Sequence, residues 1–328
     1  MLYNPETKPA PLVSWGRVQH LLGFTSHELK RIASEANNLY RPFDLRRLGT
    51  SKWRHIDNPL PELKFIQKRI DQRILRRIEL PSTMFGAISG RTIRDNALFH
   101  RRQPLIVTLD LKDCFPSTNN RMVYNAFVNV VNCSTEIASV FTRLTTYQCR
   151  LPQGAPSSPA IANITLLPLH ADLLALAESL ALRCTFFIDD IVVSGARANE
   201  FIEPAIRFIR RQEHSVRQSK IARMPRSQPQ RVTGVLANRG VPSVGRNRRD
   251  AIRYEIFELS RDARPAERAL QQIRSKIAFV RWISSTQASS LTRLANSVLP
   301  ESGHREVLKM KNEVAPCKPS RSTRCLNS

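Results

Sequence analysis

The spacing of apolar residues predicts helices and then strands in the first quarter of the chain. Over residues 1–39 the apolar side chains recur at helical intervals and share one face. Residues 40–59 alternate as two strands around Gly49, which predicts a hairpin with several basic side chains. Residues 60–80 return to the helical interval, with apolar residues on one face and lysine or arginine on the other.

Acidic residues interrupt two of the most apolar strand patterns. The run LIVTLDL at 105–111 predicts a strand that ends at Asp110. In FFIDDIVVS at 186–194, short apolar runs lie on both sides of Asp189 and Asp190, a pattern typical of a β-hairpin with the acids at its turn. The sequence therefore predicts three carboxylates at strand ends.

The remaining patterns indicate a loop, a broken helix and a basic C-terminal region. Residues 151–163 are rich in proline and open a long apolar helix, which we expect to be kinked or restarted near Pro168. Residues 232–238, VTGVLAN, are predicted to form a strand. From about Arg246 to Lys311 the pattern is that of basic helices.

Three acids in this arrangement indicate metal chemistry. Two adjacent carboxylates at a tight turn repel each other unless a cation lies between them. With Asp110 as a third ligand, the carboxylates can hold two Mg²⁺ ions about 3.5–4 Å apart. Such a pair activates a hydroxyl and stabilises the leaving oxygen of an in-line phosphoryl displacement. That is the chemistry of nucleic-acid synthesis.

The charge of the chain indicates a polyanionic partner. The 328 residues include 51 Lys and Arg against 27 Asp and Glu, a formal net charge of +24. This excess is larger than solubility requires, and it predicts binding to nucleic acid. An anionic membrane surface is the alternative, but no apolar run has spanning length and no signal pattern precedes Trp15. We therefore expect a cytoplasmic protein with no membrane partner.

The cysteines do not indicate a zinc site or a disulfide framework. The six cysteines include no CxxC pair and no regular spacing. We therefore expect them to be reduced and mostly buried.

Six short strings occur in the order found in reverse transcriptases. They are NALFH at 96–100, DLKDCF at 110–115, LPQGAPSSP at 151–159, FIDD at 187–190, Lys220 and VTG at 232–234. The chain resembles reverse transcriptases over roughly residues 40–238. NALFH and VTG resemble the NAxxH and VTG signatures of bacterial retron reverse transcriptases in particular. FIDD alone would occur in many unrelated turns, but all six strings in order would not.

The resemblance implies a role for each residue of the acidic site. Asp110, Asp189 and Asp190 would be the metal ligands, and the backbone carbonyl of Leu111 would add an oxygen ligand beside the incoming triphosphate. Phe115 resembles the steric gate, an aromatic ring that leaves no room for a 2′-hydroxyl and so selects deoxynucleotides. Without the DLxxxF context, a core position would be the default interpretation of Phe115.

The resemblance also implies residues that bind the nucleotide. Gln153 and Gly154 resemble the floor of the nucleotide pocket, where glycine lets the backbone come close to a ligand. Arg47 and Arg54 occupy positions whose guanidinium groups would clamp the triphosphate, and Arg46 is a near-equal candidate.

Three further motifs lie outside the nucleotide pocket. Lys220 resembles the lysine that protonates the departing pyrophosphate, with a plain phosphate contact as the alternative. In NALFH we favour an architectural or RNA-positioning role for His100. VTG either marks the retron family or is only a strand and turn, with Gly234 needed for its backbone geometry.

One departure from the family pattern lies next to the acids. Phe187 and Ile188 stand where the family commonly has tyrosine followed by a small residue. We expect the bulkier Ile188 to alter primer fit or fidelity and to leave the catalytic acids in place.

The resemblance implies an α+β fold class, the right-hand polymerase fold. Its parts would be an N-terminal helical extension (1–39), fingers (40–104), a palm (105–240) with a finger insertion around 120–165, a helical thumb (241–315) and a flexible tail (316–328).

The implied function is that of an RNA-directed DNA polymerase of retron type, with two Mg²⁺ ions and dNTP substrates. It would copy a structured noncoding RNA, prime from a 2′-hydroxyl of that RNA and make a branched RNA–DNA hybrid. Family members act in anti-phage defence with a separate effector protein. Two alternatives stay open: another bacterial reverse transcriptase, group II intron-like or defence-associated, and a catalytically silent RNA-binding protein with this fold.

Overall fold

The computed structural model describes residues 9–46, 51, 53–262 and 265–299. The chain divides into two compact units, Met1–Gly245 and Arg246–Ser328. The strands are β1 (Tyr40–Arg46), β2 (Trp53–Pro59), β3 (Leu105–Asp110), β4 (Arg183–Phe187), β5 (Asp190–Ser194), β6 (Ala222–Pro225), β7 (Arg231–Val232) and β8 (Val235–Leu236). The helices of the first unit are α1 (Trp15–Leu22), α2 (Ser26–Glu35), α3 (Pro61–Arg73), α4 (Ile93–Phe99), α5 (Cys114–Ser117), α6 (Asn120–Asn129), α7 (Thr135–Thr145), α8 (Ser158–Thr165), α9 (Leu167–Ser179) and α10 (Ile202–Arg211). Those of the second are α11 (Arg246–Ser260), α12 (Glu267–Ile283) and α13 (Ser285–Val298).

The N-terminal helices and the first hairpin follow the predicted pattern. Helix α2 begins at a capping box, in which Thr25 accepts a hydrogen bond from the Glu28 N–H and the Glu28 carboxylate accepts one from the Thr25 N–H. Strands β1 and β2 pair in antiparallel register from Tyr40 opposite Pro59 to Arg46 opposite Trp53. The predicted helices and hairpin are confirmed for the described residues, whereas Gly49 lies outside them.

A four-stranded antiparallel sheet is the centre of the first unit. Its strand order is β4-β5-β3-β6, so β3 is flanked by two strands that come later in the chain. The side chains of β3 and β5 are almost all buried, which explains why both segments are continuously apolar instead of alternating. Helices α4 and α9 both pack against β4.

Helices α8 and α9 confirm the predicted break in the apolar helix. Pro168 is at the start of α9, where its missing N–H removes no hydrogen bond within the helix. The two helices meet at an angle of 50°. Among the described residues no single helix is long and apolar enough to cross a membrane, and only this bent pair meets the length and composition criteria when taken together.

Helix α4 contains the first four residues of NALFH and ends just before His100, and a buried polar network joins this segment to the sheet. The His100 ring has Nδ1 2.7 Å from the Ser194 hydroxyl and Nε2 2.8 Å from the Thr185 hydroxyl. The Thr185 hydroxyl also donates to Asn96 Oδ1 at 2.7 Å. All four side chains have no solvent exposure. Burial lowers the pKa of His100 to about 3, so the ring is neutral, as an architectural role requires.

The VTG segment forms a hairpin and its turn, which differs from the single predicted strand. Val232 ends β7, and Thr233 and Gly234 form a two-residue turn with φ of 46° and 85° before β8 begins. Positive φ values at both central residues are typical of a type I′ turn, which matches the right-handed twist of the paired strands. Glycine adopts such a φ at low cost. Helix α4 packs against both β7 and β8. The two motifs that resemble retron signatures are therefore neighbours.

The second unit contains three helices, as the basic helical pattern predicted for the described part of this region. Their buried residues are Ile252, Ile256, Leu270, Ile273, Ile277, Val280, Ile283, Ala288 and Leu291. Two aromatic side chains of this unit contact arginine. The Arg261 guanidinium lies 4.6 Å from the ring centre of the exposed Phe257, and the Arg248 guanidinium lies 4.2 Å from that of the partly buried Phe279.

The cysteines within the described residues are free. Cys114, Cys133 and Cys184 are buried, which confirms that expectation, and Cys149 is exposed. Cys317 and Cys325 lie outside the described residues.

The buried neutral imidazole predicts that stability depends on pH through His100. The unfolded chain takes up a proton on this ring near pH 6.5, and the folded protein does so only near pH 3. The free energy of unfolding should therefore fall as pH falls from about 6.5, by about 1.4 kcal/mol per pH unit from this group. For His100→Gln, the free energy of unfolding measured by urea between pH 4 and 7 should depend less steeply on pH, because the variant takes up one proton fewer on unfolding. The exposed His27→Gln should keep the slope of the original protein, and equal slopes for both variants would contradict the prediction.

Candidate active site

Pairing of β3 with β5 brings the three predicted acids together. Asp110, the last residue of β3, lies directly opposite Asp190, the first residue of β5. The Leu111 N–H donates to the carbonyl of Asp189 at 2.9 Å, which fixes the hairpin turn against the end of β3. Asp110 is buried, and the other two acids are partly buried. The three carboxylates thus meet at one end of the sheet.

Mutual repulsion and burial shape the electrostatics of this cluster. Burial, followed by the charges of Asp189 and Asp110, raises the pKa of Asp190 to about 6. Burial also raises the pKa of Asp189, with Asp110 acting in the same direction and Lys220 and Arg54 opposing it. Burial and mutual repulsion therefore both disfavour the charged forms of Asp189 and Asp190.

Two basic side chains from the segment after α10 contact Asp110. Lys220 Nζ lies 2.5 Å from Asp110 Oδ1, so the structure brings this predicted residue to the acids. Arg217 Nε lies 3.7 Å from Asp110 Oδ2, and its guanidinium donates to Asp113 at 2.9 Å. A backbone hydrogen bond also joins this segment to the end of β3, since the Arg217 N–H donates to the Asp110 carbonyl at 2.9 Å. The cations partly neutralise the most buried of the three acids.

The donor set fits a hard divalent cation, although it is not a ready-made cage. No group of three or more His, Cys, Asp or Glu side chains in the described part of the chain is arranged to hold a metal ion. Lys220 occupies one oxygen of Asp110 in this state. All three candidate ligands are carboxylates, and the raised pKa of Asp190 means that added positive charge here is favourable. The residues therefore fit Mg²⁺ in ligand type and charge.

The turn before the two acids is closely packed against the segment 83–86. Ile188 has a φ of 56°, a left-handed conformation that is unfavourable for a β-branched residue. The Phe85 N–H donates to the Phe186 carbonyl at 2.7 Å. A Cβ atom at Gly86 would lie 2.7 Å from the backbone nitrogen of Ile188. Glycine at 86 therefore allows the supporting segment to hold a strained turn.

Phe115 lies on the short helix α5, immediately after the first acid. Asp113 precedes this helix with a φ of 47°, and Cys114 is buried between the helix and the acids. Burial first, then the charges of Asp189 and Asp110, raises the pKa of the Cys114 thiol to about 12. Phe115 is partly buried and packs against the core, and part of its ring stays accessible.

The segment that contains Gln153 and Gly154 is paired with β2. The Gln153 N–H donates to the buried Asp57 carboxylate at 3.0 Å, and the Asp57 N–H donates to the Gln153 carbonyl at 2.7 Å. Gly154 has a φ of 131°, and a Cβ there would lie 2.9 Å from Ile56 Cγ2. The close approach of β2 therefore accounts for this glycine, without any need for a ligand.

The predicted arginines belong to the first hairpin. Arg54 on β2 is exposed and is one of the two cations that oppose the rise in the pKa of Asp189, so it lies within electrostatic reach of the acids. Arg46 is exposed at the end of β1. Arg47 lies outside the described residues.

Sequence reasoning missed Arg217, Asp57 and Gly86. Arg217 lies in a run of basic residues where no pattern separates it from its neighbours. The structural role of Asp57 could not be recognised, because a buried acid in a short strand has the same sequence pattern as an exposed one. Gly86 lies in none of the motifs that indicate the site, so nothing in the sequence marks it as a point of close backbone approach.

Comparison with known proteins agrees with this geometry. Residues 44–236 match the family model described as reverse transcriptase (RNA-dependent DNA polymerase). The chain is 30% identical to the retron Ec86 reverse transcriptase of Escherichia coli over 240 residues, 70% of this chain and 73% of that protein. It is 25% identical to the retron Se72 reverse transcriptase of Salmonella heidelberg over 323 residues, 94% and 85% of the two chains. It is 32% identical to the retron Mx162 reverse transcriptase of Myxococcus xanthus over 165 residues, 45% and 34%.

The raised pKa of Asp190 predicts that this acid destabilises the metal-free protein. Stability from its protonated form is present at low pH and is lost as pH rises through about 6. At pH 7, Asp190→Asn should therefore raise the free energy of unfolding by about 1–2 kcal/mol, since partial exposure screens the full effect. Thermal melts in EDTA would measure the gain, and Mg²⁺ should stabilise the original protein more than the variant.

The matched control for this prediction is Glu178→Gln. It removes one exposed carboxylate near the end of α9, a different element from the strands that hold the acids, and should leave both measurements unchanged. An Asp190→Asn protein that melts below the original protein in EDTA would contradict the proposed repulsion.

Proposed function

The chain belongs to the reverse transcriptase family and is an RNA-directed DNA polymerase of retron type, and we propose that Asp110, Asp189 and Asp190 form its catalytic centre. The observation that supports this most directly is the position of Asp110 opposite Asp190 at the end of the sheet. A protein that only bound RNA would gain nothing from holding three mutually repelling acids together.

The three aspartates would hold two Mg²⁺ ions, with the Leu111 carbonyl as a further oxygen ligand. Bound there, the ions would activate the primer hydroxyl and neutralise charge on the triphosphate. The family is one that depends on divalent metal and uses dNTPs. The choice of Mg²⁺ rests on the all-carboxylate ligand set.

Lys220 is proposed to hold a proton near the departing pyrophosphate. Its ammonium lies 2.5 Å from Asp110, so it is already beside the reacting groups and needs only a small movement to reach a phosphate. A plain phosphate contact would use the same position. Arg217 contacts both Asp110 and Asp113, which suits it to orient the loop that leads to Phe115.

The nucleotide would bind between the acids and the first hairpin. The charge of Arg54 acts on Asp189, and a guanidinium in that position can pair with triphosphate oxygens. We propose the same role for Arg47. Gln153 and Gly154 are proposed to form the floor of this pocket because Gln153 is hydrogen-bonded to β2, which contains Arg54, and Gly154 lies close to the same strand. Phe115 would lie under the sugar.

The family implies the right-hand polymerase fold, and the described residues are a mixture of helix and strand as that fold requires. We assign fingers to 40–104, the palm to 105–240 and the thumb to 241–315. The four-stranded sheet with its acids supports the palm assignment, and the three-helix second unit supports the thumb.

The template is proposed to be a structured noncoding RNA and the product a branched RNA–DNA hybrid primed from a 2′-hydroxyl. Similarity to retron reverse transcriptases from three organisms supports this, and a net charge of +24 fits a long polyanion. A role in anti-phage defence with a separate effector protein, in the cytoplasm, follows from the same resemblance.

Nucleic acid extracted from the protein tests the proposed function. The chain would be expressed with its flanking genomic DNA, and the co-purified nucleic acid treated separately with RNase, DNase and debranching enzyme. We expect a short single-stranded DNA joined to RNA, absent from the Asp189→Asn, Asp190→Asn double variant, which should still bind RNA. RNA alone from both proteins would favour a silent RNA-binding protein. DNA without a branch would favour another type of reverse transcriptase.

The partly accessible ring of Phe115 predicts its role in sugar selection. Phe115→Ala should raise the relative incorporation of ribonucleotides by roughly 10- to 100-fold, because space opens where a 2′-hydroxyl would lie. Phe115→Tyr keeps the ring and should keep the preference for deoxynucleotides. Primer extension with single dNTPs or rNTPs gives the ratio of kcat/KM values, and an unchanged ratio in Phe115→Ala would remove Phe115 from this role.

A further inference from the structure

One face of α3, outside the acidic site, presents basic and aromatic side chains to solvent. Lys64, Phe65 and Lys68 are all exposed, and their spacing places them on neighbouring turns of the same side of the helix. Phe65 keeps 48% of its surface accessible. The opposite face, which includes Leu63, Ile66 and other residues, is buried in the core.

Phe65 is held in one position although it is exposed. The Phe24 ring meets it edge to face at 6.1 Å between ring centres. The Arg69 guanidinium lies 4.6 Å from the centre of the Phe65 ring, and it is anchored by donating to the Leu22 carbonyl. A side chain at Gly23 would collide with this guanidinium. A fixed and exposed ring is a stacking platform that loses little side-chain entropy on binding.

The two lysines beside this ring are not neutralised by carboxylates. Lys64 Nζ lies 3.3 Å from the Asn58 side-chain oxygen, and no described carboxylate pairs with Lys64 or Lys68. The two acids of α3 are engaged elsewhere: Glu62 pairs with Arg31, and the buried Asp71 pairs with Arg76.

The ring and the lysines line a concave pocket. Its volume is about 430 Å³, and its other wall is the segment 58–61, where β2 ends and α3 begins. Unpaired ammonium groups next to an accessible aromatic ring fit the phosphates and bases of single-stranded nucleic acid, and a neutral or basic protein surface would not be attracted to them.

The pocket lies at the end of β2, the strand that also contains Arg54, whose charge acts on Asp189. Arg54 and Asn58 both lie on β2, and four residues of strand span roughly 13 Å. The template ahead of a polymerase site is single-stranded, because only the copied part is paired with product. A template strand that follows β2 away from the acids would therefore reach the pocket unpaired.

We propose that Lys64, Phe65 and Lys68 bind the uncopied, single-stranded part of the RNA template, with a base on the Phe65 ring and phosphates at the two lysines. This site rests on the proposed function, since its ligand is the template of that reaction. It makes no contact with the reacting atoms, and its contribution is to hold the template as it approaches them.

The test varies the length of the template overhang. Fluorescence anisotropy would measure binding of the Asp189→Asn, Asp190→Asn protein to an RNA template annealed to a DNA primer. One template ends at the templating base and the other extends past the pocket. Phe65→Ala should weaken binding to the long overhang roughly 10-fold and leave the short one unchanged. Lys64→Ala and Lys68→Ala should each lower the salt dependence for the long overhang by about 0.7 in log K per log salt.

Conservative variants separate stacking from packing. Phe65→Tyr keeps a ring and should restore binding to the long overhang, whereas Phe65→Leu keeps apolar contact with Phe24 and should not. Arg73→Ala removes an exposed charge from the same helix away from the pocket and should match the original protein.

Three outcomes would overturn the proposed site. They are equal losses on the short and long overhangs, no loss on either, and recovery by leucine as complete as by tyrosine. Primer extension by the protein with intact aspartates gives an independent readout, since activity on the short overhang should survive every pocket substitution. If the protein with intact aspartates extends no primer on any template, the proposed function is contradicted. The binding comparison between the two overhangs would still show whether the pocket binds single-stranded RNA.

Discussion

The antiparallel pairing of β3 with β5 is the constraint on which the candidate site depends. Both strands bury apolar side chains on both of their faces, and this burial stabilises the pairing in which Asp110 lies opposite Asp190. Asp110 and Asp190 are therefore opposite each other because of hydrophobic burial around them, and in spite of their own repulsion. The stability of the sheet offsets the unfavourable free energy of placing these carboxylates together.

The surroundings of the acids compensate for that charge and for local strain. Lys220 and Arg217 approach from a segment that also hydrogen-bonds to the end of β3, so the cations are positioned by backbone as well as by attraction. Gly86 allows the supporting segment to touch the turn where Ile188 adopts a left-handed conformation. The lysine that neutralises Asp110 is also the group that we propose to meet negative charge on a leaving phosphate. One cation in one position, Lys220, can therefore both neutralise the acids and assist the proposed reaction.

Local periodicity made the strands, the hairpin acids and the broken helix predictable, because each depends on residues that are close in sequence. The contacts that complete the site connect distant segments, and periodicity contains no information about them. Asp57 bonds to Gln153 across 96 residues, so the close approach of β2 to Gly154 could not be predicted from local pattern, whereas its proposed place beside the nucleotide came from the resemblance. VTGVLAN was predicted to be one strand because valine and threonine favour strands, whereas Thr233 adopts a φ of 46° in a turn, as the alternative interpretation of VTG as strand and turn requires. Tertiary packing decided that position against local preference.

The two motifs that narrowed the family are parts of one structural unit, and this explains how they can act together without touching the acids. Helix α4 packs on the β7–β8 hairpin, and the Arg102 N–H after α4 donates to the Ala237 carbonyl after β8 at 3.1 Å. On its other side, His100 bonds to Ser194, the last residue of the strand that begins with Asp190. The imidazole is buried and neutral, so we attribute its effect on the acids to position alone: it holds one end of β5 through Ser194. The motifs are therefore best understood as a rigid connection between a surface of the protein and the strand that positions its chemistry.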